Sequence, residues 1–112
     1  MKVAVIGSRE LRIENVGTYL PKGVTELVSG GARGVDQSVR EYAARTGIKL
    51  TEFLPRYERF GRAAPLKRNQ EIVAYADLVV ALWDGTSRGT AQVIATCRRI
   101  NKPVTVHILP VN

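Results

Sequence analysis

Three short stretches carry the side chain types that hold phosphate. They read "IGSRE" (6–10), "SGGARGVD" (29–36) and "WDGTSRGT" (83–90). Between them they supply Ser8, Arg9, Ser29, Arg33, Ser87, Arg88 and Thr90. Hydroxyls and guanidiniums bind phosphate oxygens directly. Gly7, Gly30, Gly31, Gly34, Gly85 and Gly89 lie in the same stretches and leave backbone N–H groups approachable. One contact of this kind at a helix start contributes about 0.3–1 kcal/mol, so useful affinity needs several to converge. Plain turn punctuation accounts for one glycine-bearing loop. The same chemistry in three loops points to a shared anion cradle.

Carboxylates and amides extend the set. Asp36 falls in the first turn of an expected helix, where it complements the helix dipole, accepts a ribose hydroxyl or orients Arg33. Asp84 directly follows an apolar strand, where it contacts ribose, holds a metal or braces Arg88. With Glu71, these two are the candidate catalytic carboxylates if a reaction occurs. Arg68 and Asn69 lie near the start of another helix; Asn69 bonds a glycine loop, reads a base edge or simply packs. The stretch "PRYERFGRAAPLKR" (55–68) sets Arg56, Arg59, Arg62, Lys67 and Arg68 among Tyr57 and Phe60, with Glu58 its only acid. Such a mixture can track a polynucleotide backbone and stack bases, or act as a lid or subunit contact. Trp83 either stacks a base or packs beneath its loop. His107, on an alternating strand, and Cys97, on an apolar helix stripe, read as structural. No His/Cys/Asp cluster has metal-ligand spacing, and the one cation admitted is Mg²⁺ accompanying a nucleotide. The G-x-G-x-x-G and G-K-[ST] patterns are absent.

Elements must bring these loops to one edge. "KVAVIG" (2–7) and "DLVVALW" (77–83) are continuously apolar strands, "VTELVSG" (24–30) reads as the second strand, and "IKLTEF" (48–53) and "PVTVHIL" (103–109) alternate. Helical signals cover 12–20, 34–46, 65–76 and 90–100, while 55–64 reads as a loop. Pro65 suits a first helical turn and Gly47 a helix stop. Alternation of strand and helix predicts a parallel sheet with helices on both faces. Doubly covered strands belong in the middle and alternating ones at the edges. The expected order is therefore 3-2-1-4-5 in a three-layer α/β sandwich. The order reverses between strands one and four, and ligands bind outside the carboxyl ends at such a reversal.

Bulk properties fit one domain spanning all 112 residues, with 45% hydrophobic content. A formal charge of +7, with Arg outnumbering Lys, suits phosphate-bearing partners, nucleotide or nucleic acid. The single cysteine excludes an internal disulfide and fits a reducing cytoplasm. No apolar run is long enough for a membrane span.

"GSR", "SGGARGVD", "KRNQEIV" and "WDGTSRGT", in this order, resemble the SLOG superfamily, which unites the DNA-processing protein A core with the Lonely Guy enzymes. The likeness is to its small stand-alone, YspA-like branch of unknown function, and it runs from Val3 to about Val106. Ser29, Gly30, Ala32, Gly34, Val35 and Asp36 match S-G-x-A-x-G-[IV]-D of the DNA-processing protein. Arg68, Asn69, Ile72, Ala76 and Asp77 match its R-N-x-x-I-x-x-x-[SA]-D stretch. The resemblance implies a Rossmann-like fold, a nucleotide or nucleotide-derived ligand, a homo-oligomer and a possible link to single-stranded nucleic acid. Gly89 and Thr90 match the G-T pair of the Lonely Guy loop, but Val93 occupies the position of that family's catalytic glutamate. Valine cannot move a proton. The resemblance therefore implies ligand binding, or a hydrolysis that uses another carboxylate.

Overall fold

The computed structural model describes residues 1–111. Runs of Val, Ile, Leu and Ala form the centre of a five-stranded, all-parallel sheet. β1 (Lys2–Gly7), β2 (Glu26–Ser29) and β4 (Leu78–Trp83) are mostly buried, while β3 (Lys49–Glu52) and β5 (Val104–Ile108) are only partly covered. The order is β3-β2-β1-β4-β5, as the strand compositions predict. α1 (Val35–Thr46) packs on one face; α3 (Ala64–Tyr75) and α4 (Arg88–Arg99) pack together on the other. Period-two alternation divides β1 between two cores. Val3 and Val5 meet Val35 and Val39 of α1, while Ala4 and Ile6 meet Ile72 of α3 and Val93 of α4. This is a Rossmann-like α/β sandwich. No helix among the described residues is long and apolar enough to cross a membrane.

Two expected elements differ. Residues 12–20 form no α-helix, only a 3-10 turn at Val16–Tyr19. Asn15 holds the turn by accepting from the Gly17 N–H, and Ile13 N–H donates to Ser38 Oγ instead of to a helical carbonyl. Gly17 cannot be replaced by a bulkier helix former without meeting the Tyr42 hydroxyl, 2.7 Å from where a Cβ would sit. In the expected loop 55–64, a short α2 (Tyr57–Phe60) and a 3-10 turn (Gly61–Ala63) lead directly into α3. Neither has a buried residue.

Boundaries otherwise shift by a residue or two. Pro65 lies in the first turn of α3, and Gly47 closes α1 in the left-handed conformation at φ 78°. α4 begins at Arg88, two residues before Thr90, so Arg88 and Gly89 belong to its first turn.

Candidate functional site

The strand order reverses between β1 and β4, and their carboxyl ends open onto a cleft of about 370 Å³. Small-molecule sites typically occupy about 300–1,000 Å³. Its walls come from the loops after three strands: Gly7–Glu10 after β1, Gly30 and Ala32 after β2, and Ser87–Thr90 after β4. Pro65, Arg68, Asn69 and Ile72 of α3 close a further side, with Ile6 and Val93 adding apolar lining.

The start of α4 faces this space unfilled. The first N–H groups of a helix have no intrahelical acceptor. Ser87 holds the N-cap position, but its hydroxyl donates to Asp84 Oδ2 at 2.8 Å and makes no cap bond. The N–H groups of Arg88, Gly89 and Thr90 are therefore left bare at the positive end of the helix dipole. Asp84 spends its whole carboxylate on the turn. Oδ1 accepts from the Thr86 N–H (2.9 Å) and the Ser87 N–H (2.8 Å). These bonds hold its pKa well below the usual carboxylate range.

Ser8 joins the first and third loops. Its Oγ accepts from the Asp84 N–H at 3.0 Å, and its carbonyl accepts from the Val35 N–H at 3.3 Å, so one residue also ties β1 to the start of α1. Ser8 is 1% exposed.

Arg68 joins the second loop to α3. Its Nη1 donates to the Gly30 carbonyl at 2.6 Å and to the Phe53 carbonyl at 3.4 Å, and its Nε donates to Asn69 Oδ1 at 2.8 Å. A Cβ at Gly30 would stand 2.7 Å from Arg68 Nη1 and would push the guanidinium off this carbonyl. Gly34 is required by its own backbone. Its φ is +71°, and a Cβ would lie 2.4 Å from the Arg9 carbonyl oxygen. Asp36 accepts from the Ala32 N–H at 3.0 Å. Burial pushes the pKa of Asp36 up, against the pull of that N–H and of Arg68. Burial lowers the pKa of Arg68, against the pull of Asp36.

Arg9, Arg68 and Arg88 all line the cleft, and so do Glu10 and Asp36. Arg33 takes Glu10 at 3.0 Å on the exposed side. Arg9 and Arg88 have no ion pair among the described residues. The cleft thus carries positive charge that its own acids do not neutralise.

Of the residues singled out in the sequence, Gly7, Ser8, Arg9, Gly30, Asp36, Arg68, Asn69, Ser87, Arg88, Gly89 and Thr90 line this one cleft. The others stand outside it. Ser29 is wholly buried at the end of β2. The Gly31 carbonyl accepts from Arg40 Nη2, and Arg33 points to Glu10. Gly34 caps α1, and Gly85 shapes the β4 loop at φ +87°. Glu71, on α3, meets Arg56 at 3.8 Å. Trp83 donates from Nε1 to the Ser87 carbonyl at 3.0 Å and does not line the cleft. His107 packs edge-on against Tyr19, and Cys97 is buried. Asp77 sits at the far end of the sheet, where its Oδ2 accepts from the Lys2 N–H at 2.8 Å.

Sequence reasoning missed Ile6, Glu10, Ala32, Pro65 and Ile72 as lining residues; Val93, singled out there only for the proton it cannot move, lines the cleft too. Ile72 was findable, being one helical turn after Arg68; the rest look like ordinary core or turn residues. Among the described residues, no group of three or more His, Cys, Asp or Glu side chains could hold a metal ion. No family model matches the chain, and neither does any curated protein or solved structure.

Proposed function

We propose that the cleft binds the phosphate and ribose of a nucleotide or nucleotide-derived ligand, such as a mononucleotide or ADP-ribose, and that this SLOG-like domain senses or processes that ligand. The observation that carries the reading is the uncapped start of α4 opening onto the same space as Arg9, Arg68 and Arg88. Bare N–H groups and guanidiniums favour a guest with several anionic oxygens. The apolar lining from Ile6, Pro65, Ile72 and Val93 suits the faces of a sugar or base. A bound nucleotide would bring Mg²⁺ on its own phosphates. One buried cysteine is compatible with a reducing cytoplasm.

Chemistry in the cleft has fewer candidates than binding does. Val93, at the Lonely Guy glutamate position, lines the cleft and offers no proton. Asp84 is occupied by its own turn, and Glu71 lies outside. Asp36 alone of the three carboxylates faces the space. Glu10 also lines the cleft but is paired with Arg33.

Calorimetry with AMP, NAD and ADP-ribose tests the reading against Gly89→Val. Outside its own helical turn, no heavy atom lies within 4 Å of where a Cβ on Gly89 would stand, so a side chain there meets open space at the rim of the cleft. The wild type should bind at least one probe and the variant should bind it about tenfold more weakly, a loss of about 1.4 kcal/mol. No heat from any probe, or equal affinity in both proteins, would overturn it. A second reading, single-stranded nucleic acid, is favoured by the exposure of Arg56, Tyr57, Arg59 and Arg62 on the segment that leads into α3. Oligonucleotide binding that collapses with salt would select it.

A further inference from the structure

Asn69 can offer the cleft only one kind of hydrogen bond. Its Oδ1 accepts from Arg68 Nε at 2.8 Å. A guanidinium nitrogen only donates, so the atom that meets it must be the amide oxygen. Turning the amide over would set donor against donor. Arg68 does not move aside to permit that, because its Nη1 is held by the Gly30 and Phe53 carbonyls and the residue is buried. Asn69 Nδ2 is left as the free end, with no partner among the described residues. Every fully buried side-chain nitrogen or oxygen among those residues has a partner, so Nδ2 is reachable from outside. Asn69 lines the cleft, and what it shows there is two N–H donors and no acceptor.

Its place on α3 decides which part of a ligand it meets. Pro65, Asn69 and Ile72 stand at i, i+4 and i+7, so they share one face of the helix, and all three line the cleft. Ile72 packs in one cluster with Ile6 and Val93, which also line the cleft. Val93 lies one turn after Gly89 on α4. An apolar wall therefore runs from the bare amides of α4 to Asn69. A ligand that sets its phosphate on those amides lays a flat ring along this wall and brings the edge of the ring to Asn69.

We infer that Asn69 selects the base. The cleft prefers a nucleotide whose base carries a carbonyl on the edge that meets Asn69, such as hypoxanthine, over one that carries an exocyclic amine there, such as adenine. This rests on the nucleotide reading given above. A carbonyl oxygen accepts from Nδ2. An amine meets Nδ2 donor to donor, and both groups lose their water without gaining a bond. A site built around one hydrogen-bonding group discriminates against the analogue that lacks its complement.

The acceptors of the cleft do not undo this preference. Glu10 takes Arg33. Asp36 takes the Ala32 N–H and belongs to α1, on the face of the sheet opposite α3. Asn69 is the polar side chain that stands in line with the apolar wall.

Calorimetry with inosine monophosphate (IMP) and AMP tests the inference. The two share phosphate and ribose and differ only in carbonyl against amine, with the proton on the neighbouring ring nitrogen. The wild type should bind IMP about tenfold more tightly than AMP. Asn69→Asp keeps an oxygen for Arg68 Nε and exchanges the free donor for an acceptor. It should reverse the preference and keep the urea midpoint of the wild type. Its added charge weakens both ligands alike, so the ratio of affinities is the quantity to read. Asn69→Ala should bring the two ligands level. A wild type that binds AMP as tightly as IMP overturns the inference while the phosphate reading stands. A preference for IMP that survives Asn69→Asp overturns it as well. Failure of both ligands to bind also overturns it, and the reading beneath falls only if NAD and ADP-ribose give no heat either.

Discussion

The two ends of the sheet treat their polar groups in opposite ways. At the amino end, the charged groups of β1 and β2 are answered from within. The Met1 ammonium donates to the Gly23 carbonyl at 2.8 Å, and the Lys2 N–H donates to Asp77. Lys2 Nζ stands 4.1 Å from the centre of the Tyr75 ring. Glu26 accepts from the Tyr75 and Thr51 hydroxyls and meets Lys49 at 3.6 Å. The Tyr75 hydroxyl is the main reason the Glu26 pKa is lowered, and Glu26 raises that of Tyr75 in return. At the carboxyl end, Asp84 is committed to its own turn and Glu10 to Arg33 of the neighbouring loop, while among the described residues Arg9, Arg88 and the first N–H groups of α4 are left without partners. Both ends come from the same strands. The difference is that one end is closed for stability and the other is left unsatisfied in a way that a ligand can complete.

Substitutions can sharpen that contrast. The largest expected effect is Arg68→Ala, which strips a cation from the buried Asp36 and leaves the Gly30 and Phe53 carbonyls without their donor. Unfolding in urea should show a loss of about 3 kcal/mol. Arg68→Lys should recover only part of it, because an ammonium cannot bond Gly30 and Asn69 from one planar fork. Next, Tyr75→Phe at the closed end should lower the urea midpoint by less than Arg68→Ala does, because it removes one hydrogen bond to a charged group. It should leave calorimetric binding of the nucleotide probes unchanged. Gly89→Val reverses that pattern: stability should stay within about 0.5 kcal/mol of the wild type while binding weakens. If Tyr75→Phe altered affinity, or Gly89→Val altered only stability, the division between the two ends would fail.

The smallest expected effect is on acid stability. Asp84 has a folded pKa below its unfolded value of about 3.9. Its contribution is therefore complete at neutral pH, begins to fade as the pH drops towards about 4, and is lost further down through the folded value. Asp84→Asn should flatten this part of the stability profile in urea titrations run from about pH 7 to about pH 3. An unchanged slope would show that the turn does not depend on the carboxylate.

Strand order was legible because burial is written in composition: Val79 to Leu82 include no polar residue, whereas Lys49 and Thr51 alternate with apolar neighbours. Three loops converging on one edge followed from that order. The missing helix at 12–20 was not legible, because its apolar residues have helical spacing while Asn15 and Ser38 take the backbone groups a helix would use. Gly31 and Arg33 looked like ligand groups because a glycine loop reads alike whichever way it faces. Their partners, Arg40 and Glu10, are set by tertiary packing. Asp84 could have been read correctly, since an aspartate two and three residues before Thr86 and Ser87 is a common turn former.

The central claim is that bare amides at the start of α4 receive the anionic part of a ligand. Amide chemical shifts followed by nuclear magnetic resonance, while pyrophosphate, AMP or ADP-ribose is added, test it most directly. The account predicts saturable shifts centred on Arg88, Gly89 and Thr90, with smaller ones at Arg9 and Ala32 and none at Lys2, Glu26 or Tyr75. Shifts centred on the amino end, or no shift at α4 with any of the three probes, would contradict it.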